Sequence, residues 1–377
     1  MRITDVTTWV VNVPLVNPFT SSFETKAGTT RTVVRLRTDD GLEGWGETMS
    51  GQPVSALVER LTPQLVGYSA FDLEAMHQRL AMVPFFYGYH GYAAIAGLDV
   101  ACWDLIGKAS DQPLVNLLGG VVRERIGLTA LVTRSDAGRA NDADLPRAVG
   151  DRAAEVVGEY GFESVKLKGT VDASGDAAIM AAIRERLPGA GIRVDPNAAW
   201  SVHESVTAGR RMEPLELEYL EDPCPGLEGM RRVRQQVRIP LCTNMCVVRF
   251  DDVAPAARMD AVDIVHGDVF KWGGVRQTKN LAQHCDSFGL GMNMHSGGEL
   301  GLSTAVHLAV VASTPQLSYA IDSMYYLLAD DIATEPLVLT DGALSVPRDR
   351  PGIGVAIDEE KLERYAEANA VDGDITM

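Results

Sequence analysis

The chain has 377 residues, enough for a barrel of roughly 200–250 residues plus a smaller second unit. Its net charge of −17 argues against a nucleic-acid or anionic-membrane partner but not against a small anionic substrate, because a local site can carry cations inside an acidic shell. No apolar run is long enough to span a bilayer, and Met1-Arg2-Ile3-Thr4-Asp5 has no apolar signal core, so a cytoplasmic protein is expected.

Residues 3–13 and 31–38 read as strands, the second turning at Asp39-Asp40-Gly41 into Leu42–Glu47. Between them, Asn17–Phe23 is polar with two aromatics and is expected to be a mobile loop. Residues 54–66 and 72–82 look helical. The aromatic stretch Phe85–Tyr92 precedes a helical run at 93–108, and Leu117-Leu118-Gly119-Gly120 stops the unit. From there the pattern changes. Apolar strand-like runs at 126–132, 163–168, 192–195, 217–221, 239–243, 262–266, 289–294 and 317–321 alternate with seven helical stretches, such as 175–187 and 274–287. Eight strands alternating with helices imply a closed parallel barrel. Residues 337–357 return to strand-and-turn character and are expected to pack back on the N-terminal unit, while 370–377 read as a loose tail. The five cysteines, Cys102, Cys224, Cys242, Cys246 and Cys285, are odd in number and lack a second pair for a zinc set, so they read as reduced thiols.

Six polar residues recur at about one strand plus one helix. From Lys168 the steps to Asp195, Glu221, Asn244, Asp268, His295 and Asp322 are 27, 26, 23, 24, 27 and 27 residues. This spacing puts one functional side chain at the C-terminal end of each strand. Lys166 and Lys168 are two apart on a strand and share a face, here the barrel interior. An isolated Lys-x-Lys is usually a snorkelling surface pair, but five further aligned strand ends reverse that here. Two interior lysines are expected to lower each other's pKa, which would make one a usable base.

Asp195, Glu221 and Asn244 end consecutive strands and offer only oxygen, which suits a hard divalent cation, Mg²⁺ first and Mn²⁺ second. Such a site would draw an anionic ligand, most simply a substrate carboxylate. Asp268 and His295 end neighbouring strands, where the aspartate can hold one imidazole nitrogen and make the other more basic. His266 and His307 read as structural. Lysine and histidine thus flank an ion-anchored carboxylate, an arrangement suited to abstracting its α-proton while the charge of the resulting enediolate is stabilised.

These residues resemble the enolase superfamily in its mandelate racemase/muconate lactonizing branch, and within it the glucarate dehydratase group. The resemblance covers nearly the whole chain. It rests on Trp103–Lys108 through Leu117–Gly120, Lys166-Leu167-Lys168-Gly169, Asp195-Pro196-Asn197, Glu221-Asp222-Pro223, Thr243-Asn244-Met245 and Ala320-Ile321-Asp322. Asp268–Gly274 resembles the racemase-type sixth strand, where muconate-lactonizing relatives carry a lysine instead of the aspartate. The resemblance implies an α/β fold, a modified (β/α)7β TIM barrel with an N-terminal α+β capping domain completed by C-terminal residues. The corresponding division is 1–124 for the cap, 125–330 for the barrel and 331–377 for the returning segment. It also implies roles. Lys168 would abstract the α-proton, with Lys166 tuning it and touching the substrate carboxylate. His295, held by Asp268, would serve the other face. Asp195, Glu221 and Asn244 would hold one Mg²⁺, and Asn197, Ser296 and Asp322 would contact substrate. Asn17–Phe23 and Phe85–Tyr92 would cover the site, although the aromatics could equally be domain-interface core.

Two positions depart from the pattern. Glucarate dehydratases carry a His shortly after the strand-eight Asp and an Arg before a Glu-Pro pair. Here Met324 and Asp331 stand there. An aspartate where a distal carboxylate should dock would repel a diacid, so the expected activity is dehydration of an acid sugar that need not be D-glucarate, a monoacid included. The alternatives are racemisation or epimerisation at the α-carbon, and a fold retained for binding alone. Family habit suggests a homo-oligomer.

Overall fold

The computed structural model describes residues 1–138, 141 and 143–376. β1 (Ile3–Thr20), β2 (Thr25–Thr38) and β3 (Glu43–Met49) form an antiparallel sheet in that order. The expected loop at Asn17–Phe23 is instead the end of a long hairpin. The register shifts between Pro14 and Phe19, then Phe19 pairs with Lys26 and Thr20 with Thr25. Pro14 and Pro18 cannot donate to the ladder, which accounts for the irregularity, while Phe and Thr favour the resumed strand.

Helices Gln52–Leu61, Leu73–Leu80 and Val83–Ala109 cover one face of this sheet. The last of these packs on β3 so closely that a Cβ on Gly46 would lie 2.2 Å from the Gly97 carbonyl oxygen. Only glycine permits that approach. This helix begins ten residues before the expected run. Pro84 sits in its first turn, and Gly88, at φ 56°, breaks it internally. Phe85 and Phe86 are therefore helical and 76% and 70% exposed, which makes neither of them interface core.

The barrel strands are β4 (Arg125–Thr133), β5 (Ser164–Lys168), β6 (Gly191–Asp195), β7 (Tyr219–Glu221), β8 (Leu241–Thr243), β9 (Ile264–Gly267), β10 (Gly291–Met294) and β11 (Ile321–Asp322). They run parallel in the order β11-β4-β5-β6-β7-β8-β9-β10. The seam between β10 and β11 is bridged by a side chain, Asn293 Nδ2 donating to the Ala320 carbonyl at 3.3 Å. Tyr219, Cys242 and Ile264, with Tyr319, fill the lower interior, so the open face lies at the strand C-termini. All five cysteines are free. Among the described residues, no helix is long and apolar enough to cross a membrane.

The returning segment does two things. β12 (Ala343–Ser345) pairs antiparallel with β4 of the barrel, so residues 337–357 do not pack on the N-terminal unit alone, although Gly352 accepts from Leu114 N at 2.7 Å. The helix Glu359–Asp372 lies against β1, with Trp9 Nε1 donating to Glu363 at 2.8 Å. The final residues are docked rather than loose. Asn12 Nδ2 donates to Gly373 O at 2.8 Å, Ile375 N to Thr30 Oγ1 at 2.9 Å, and Thr30 N to Thr376 Oγ1 at 3.0 Å. Deleting residues 373–377 should therefore release the hairpin, lower stability by about 1–3 kcal/mol and raise KM more than it lowers kcat. Thermal melts and steady-state kinetics of the truncated chain check this.

Candidate active site

The parity of β5 turns both Lys166 and Lys168 inward. Lys166 is completely buried and donates to Glu221 at 2.6 Å and Asp322 at 2.5 Å, with Asp195 at 3.5 Å. Burial alone would lower its pKa, but these carboxylates outweigh it and hold the ammonium well above the usual lysine range. The expected mutual lowering is thus overturned for Lys166, because three carboxylates lie closer to it than any effect of its neighbour lysine can offset. Lys168 Nζ donates to Asp195 Oδ2 at 2.5 Å.

Asp195, Glu221 and Asn244 stand at the ends of β6, β7 and just past β8. Asn244 Nδ2 donates to Glu221 Oε1 at 2.8 Å, and Asn197 Nδ2 to Asp195 Oδ2 at 3.1 Å. Asn197 and Ala198 take left-handed backbone (φ 52° and 59°), which turns the chain sharply back over the strand end. Asp222 fixes the next turn, accepting from Thr243 Oγ1 at 2.6 Å and Asn244 N at 2.7 Å. Burial beside the Glu221 and Asp195 carboxylates pushes Asp222 up to about 7.

His295 Nδ1 lies 3.2 Å from Asp268 Oδ2, which leaves Nε2 for the cavity. Burial raises the Asp268 pKa, but the Lys271 ammonium and the His295 bond overcome this and hold it well below the carboxylate range. Lys271 itself reaches across to donate to the Asn244 carbonyl at 3.1 Å, tying the dyad to the oxygen set.

A cavity of about 270 Å³ opens above these groups. Lys168, Asn197, Asn244, His295, Ser296 and Met324 line it from the barrel, and Phe19, Phe23, Lys26, Arg31 and Thr376 from the hairpin and tail. Asp195 and Glu221 are fully buried behind Lys168 and Asn244. Lys166 and Asp322 are not on the wall. They are spent on each other one layer down. Ser296 is on the wall, but its hydroxyl is committed to Glu299 at 2.6 Å.

Three oxygen donors on adjacent strand ends, two of them anionic, fit a hard divalent cation. Glu221, Cys242 and His266 also lie close together. That group fits poorly, because burial pushes the Cys242 thiol well up and lowers His266, whose Nδ1 faces Glu221 at 3.1 Å. His266 lies beneath the oxygen set with Nε2 bonded to Tyr219 OH at 3.2 Å, and His307 is buried in the helix Gly301–Ala312.

Residues 3–119 match the mandelate racemase/muconate lactonizing enzyme N-terminal domain, and 148–361 the enolase C-terminal domain-like family. The chain belongs to the enolase superfamily. It falls in the mandelate racemase/muconate lactonizing branch and is an enzyme of that superfamily. A relative called a probable glucarate dehydratase, from Streptomyces coelicolor, is 35% identical over 366 residues, 89% of this chain and 84% of that one. The crystal structure of an isomerase from S. coelicolor A3(2) superposes with a TM-score of 0.95 at 64% identity, covering 100% of both chains. An enolase from Pseudomonas fluorescens Pf0-1 with bound magnesium, potassium and tartrate gives a TM-score of 0.90 at 28% identity, covering 99% of this chain and 93% of that one.

For this enolase-superfamily chain, Asp331 corrects the sequence expectation. It is buried away from the cavity and accepts from Tyr325 OH at 2.6 Å and Gly301 N at 3.2 Å, so it serves the first turn of the helix Gly301–Ala312. It cannot repel a substrate carboxylate. The sequence reading also passed over Lys271, Lys26, Arg31 and Glu299. Only Lys271 had a local signal, three residues after Asp268.

Two variants test this layering. Lys166→Met leaves three buried carboxylates without their cation and should cost about 3–5 kcal/mol in urea unfolding with a chelator present, less with excess Mg²⁺. Asp331→Ala should cost about 1–3 kcal/mol and leave the ranking of substrates by kcat/KM unchanged.

Proposed function

We propose that the protein is a Mg²⁺-dependent hydro-lyase acting on an acid sugar, an aldonate or aldarate, to give a 2-keto-3-deoxy sugar acid. What supports this most is one cavity lined by Lys168 and His295, with Asn244 on its wall between them and Asp195 and Glu221 directly behind it on the intervening strands. The 35% identical relative called a probable glucarate dehydratase agrees with it. Asp195, Glu221 and Asn244 would hold the cation, with Mn²⁺ second in fit. Bound there, it supplies charge stabilisation for the substrate carboxylate as an enediolate develops.

The chain's own groups do the rest. Lys168, as the neutral amine, takes the α-proton. The electron pair left on the α-carbon forms the Cα–Cβ double bond as the β-hydroxyl departs, and His295 delivers the proton that makes it water. The enol product takes up a proton at Cβ and loses the one on its enol oxygen to become the 2-keto acid; Lys168 then releases the α-proton and His295 regains one, so water is the only net loss. Asn197 lies on the wall with its Oδ1 unpartnered among the described residues, ready for a substrate hydroxyl. Residues 1–124, joined by the helix Glu359–Asp372 and the tail after it, form the cover over barrel 125–330, and the working enzyme is a homo-oligomer.

A second reading has support of its own. The 64% identical relative is called an isomerase, and two bases facing one carbon also serve racemisation. Incubation with Mg²⁺ and a library of acid sugars in D₂O separates the two. A new 2-keto acid marks the lyase, whereas deuterium at Cα with loss of configuration and no keto acid would replace it with the isomerase. Lys168→Met and His295→Asn should each lower kcat by about 10²–10⁴ while leaving the melting temperature close to the parent's.

A further inference from the structure

His295 stands just past β10, and the barrel ladder holds it on one side only. Its N–H donates to the Gly267 carbonyl at 2.8 Å, which continues the pairing with β9, and Asp268 holds the ring. On the other side runs Ser296-Gly297-Gly298, outside the ladder, before the helix Gly301–Ala312 begins. A stretch with two glycines has many backbone conformations open to it. The residue it follows is therefore placed by whatever ties that stretch down.

Three of the ties come from the cap. Thr29 on β2 is 1% exposed and donates its hydroxyl to the Gly298 carbonyl at 2.8 Å. The approach is close, since a Cβ on Gly298 would stand 2.7 Å from that hydroxyl oxygen. Arg31 Nη1 reaches the Gly297 carbonyl at 3.5 Å, and Glu47 accepts from Leu300 N at 3.0 Å. Inside the stretch, Glu299 accepts from Gly297 N and from the Ser296 hydroxyl, both at 2.6 Å. Arg31 is also bonded to Glu47, and Glu47 also serves the helix, whereas the Thr29 hydroxyl is given to Gly298. Its neighbour Thr30 holds residues 375 and 376, so β2 joins the docked tail to this loop.

We propose that Thr29 is a positioning residue for His295: it holds the Gly298 carbonyl from the cap and so fixes the loop that follows the imidazole. The proton donor for the departing hydroxyl is then in place only while the hairpin is docked on the barrel. That role of His295 rests on the dehydratase reading, whereas the clamp does not. Thr29 is not among the residues lining the cavity, so it acts through the loop and not by touching substrate. Lys168 lies on β5, away from the loop, so loosening the clamp leaves removal of the α-proton intact and slows departure of the hydroxyl. A proton taken by Lys168 then has time to exchange with solvent and return to the α-carbon.

Thr29→Val removes the donor at nearly constant shape, and Thr29→Ser keeps it. On the Mg²⁺-loaded enzyme in D₂O, Thr29→Val should lower kcat for dehydration about tenfold and leave KM within about twofold of the parent's. Recovered substrate should carry more deuterium at Cα for each keto acid formed. Thr29→Ser should bring kcat back to within about twofold. An unchanged kcat in Thr29→Val, exchange and dehydration that fall together, or no recovery in Thr29→Ser would overturn the proposal. If the parent dehydrates no acid sugar, the lyase reading fails by itself, and amide hydrogen exchange decides the clamp. Faster exchange confined to Ser296–Leu300 in Thr29→Val and reversed in Thr29→Ser upholds it. Exchange equal to the parent's rejects it.

Discussion

Three carboxylates with almost no exposure, on Asp195, Glu221 and Asp322, converge inside the barrel on one ammonium, Lys166. Left alone they would repel one another in a medium that screens poorly. Lys166 turns that repulsion into a clamp. Its bonds run from β5 across to β7 and β11, so the strand that carries Lys168, the proposed base, is tied to a strand that carries an oxygen donor. Glu221 is held further by Asn244, and Asp222 holds the backbone of Asn244. The oxygen set is therefore placed by partners buried beneath it, before any ligand arrives. Placement of that kind is what a site for charge stabilisation requires.

The cap is fixed to the barrel by a second buried charge. Glu47, on β3, accepts from Leu300 N at 3.0 Å and Ser303 N at 2.9 Å, the first turn of the helix Gly301–Ala312. Burial raises its pKa, and the Arg31 guanidinium and these helix N–H groups oppose that rise. One carboxylate thus satisfies a barrel helix and orients Arg31 at the same time. Because Arg31 sits on the hairpin strand, the geometry of the cavity's outer wall is set by contact with the barrel.

Much of this was legible from the chain. Strand-helix alternation and the steps from Lys168 to Asp322 identify a barrel and its functional end, because strand parity and strand length are local properties. The side chains of Lys166 and Lys168 face inward for the same reason. What sequence could not convey depends on partners far away in the chain. Lys166 looked like a tuner of its neighbour, but Asp322, 156 residues on, makes it a strongly held cation. Asp331 looked like a residue that would repel a distal carboxylate by its place before Glu335-Pro336, yet the helix N-terminus it serves lies thirty residues earlier. Asn17–Phe23 and the tail looked mobile because each lacks an apolar pattern of its own. The first is ordered by pairing with Thr25 and Lys26, and the tail by Asn12 and Thr30, through hydrogen bonds that leave no trace in composition.

One oxygen links these layers. Asp195 Oδ2 lies 2.5 Å from Lys168 Nζ and 3.5 Å from Lys166 Nζ. The same carboxylate belongs to the set that suits a divalent cation. The carboxylate that Lys168 bonds is thus also one that would hold the cation. Lys166 remains on Glu221 and Asp322 and does not compete for the role of base, since its charge is needed where it is. Two lysines two residues apart therefore differ by depth: the deeper one holds the barrel's carboxylates together, and the shallower one, on the cavity wall, is the one placed for the proposed proton transfer.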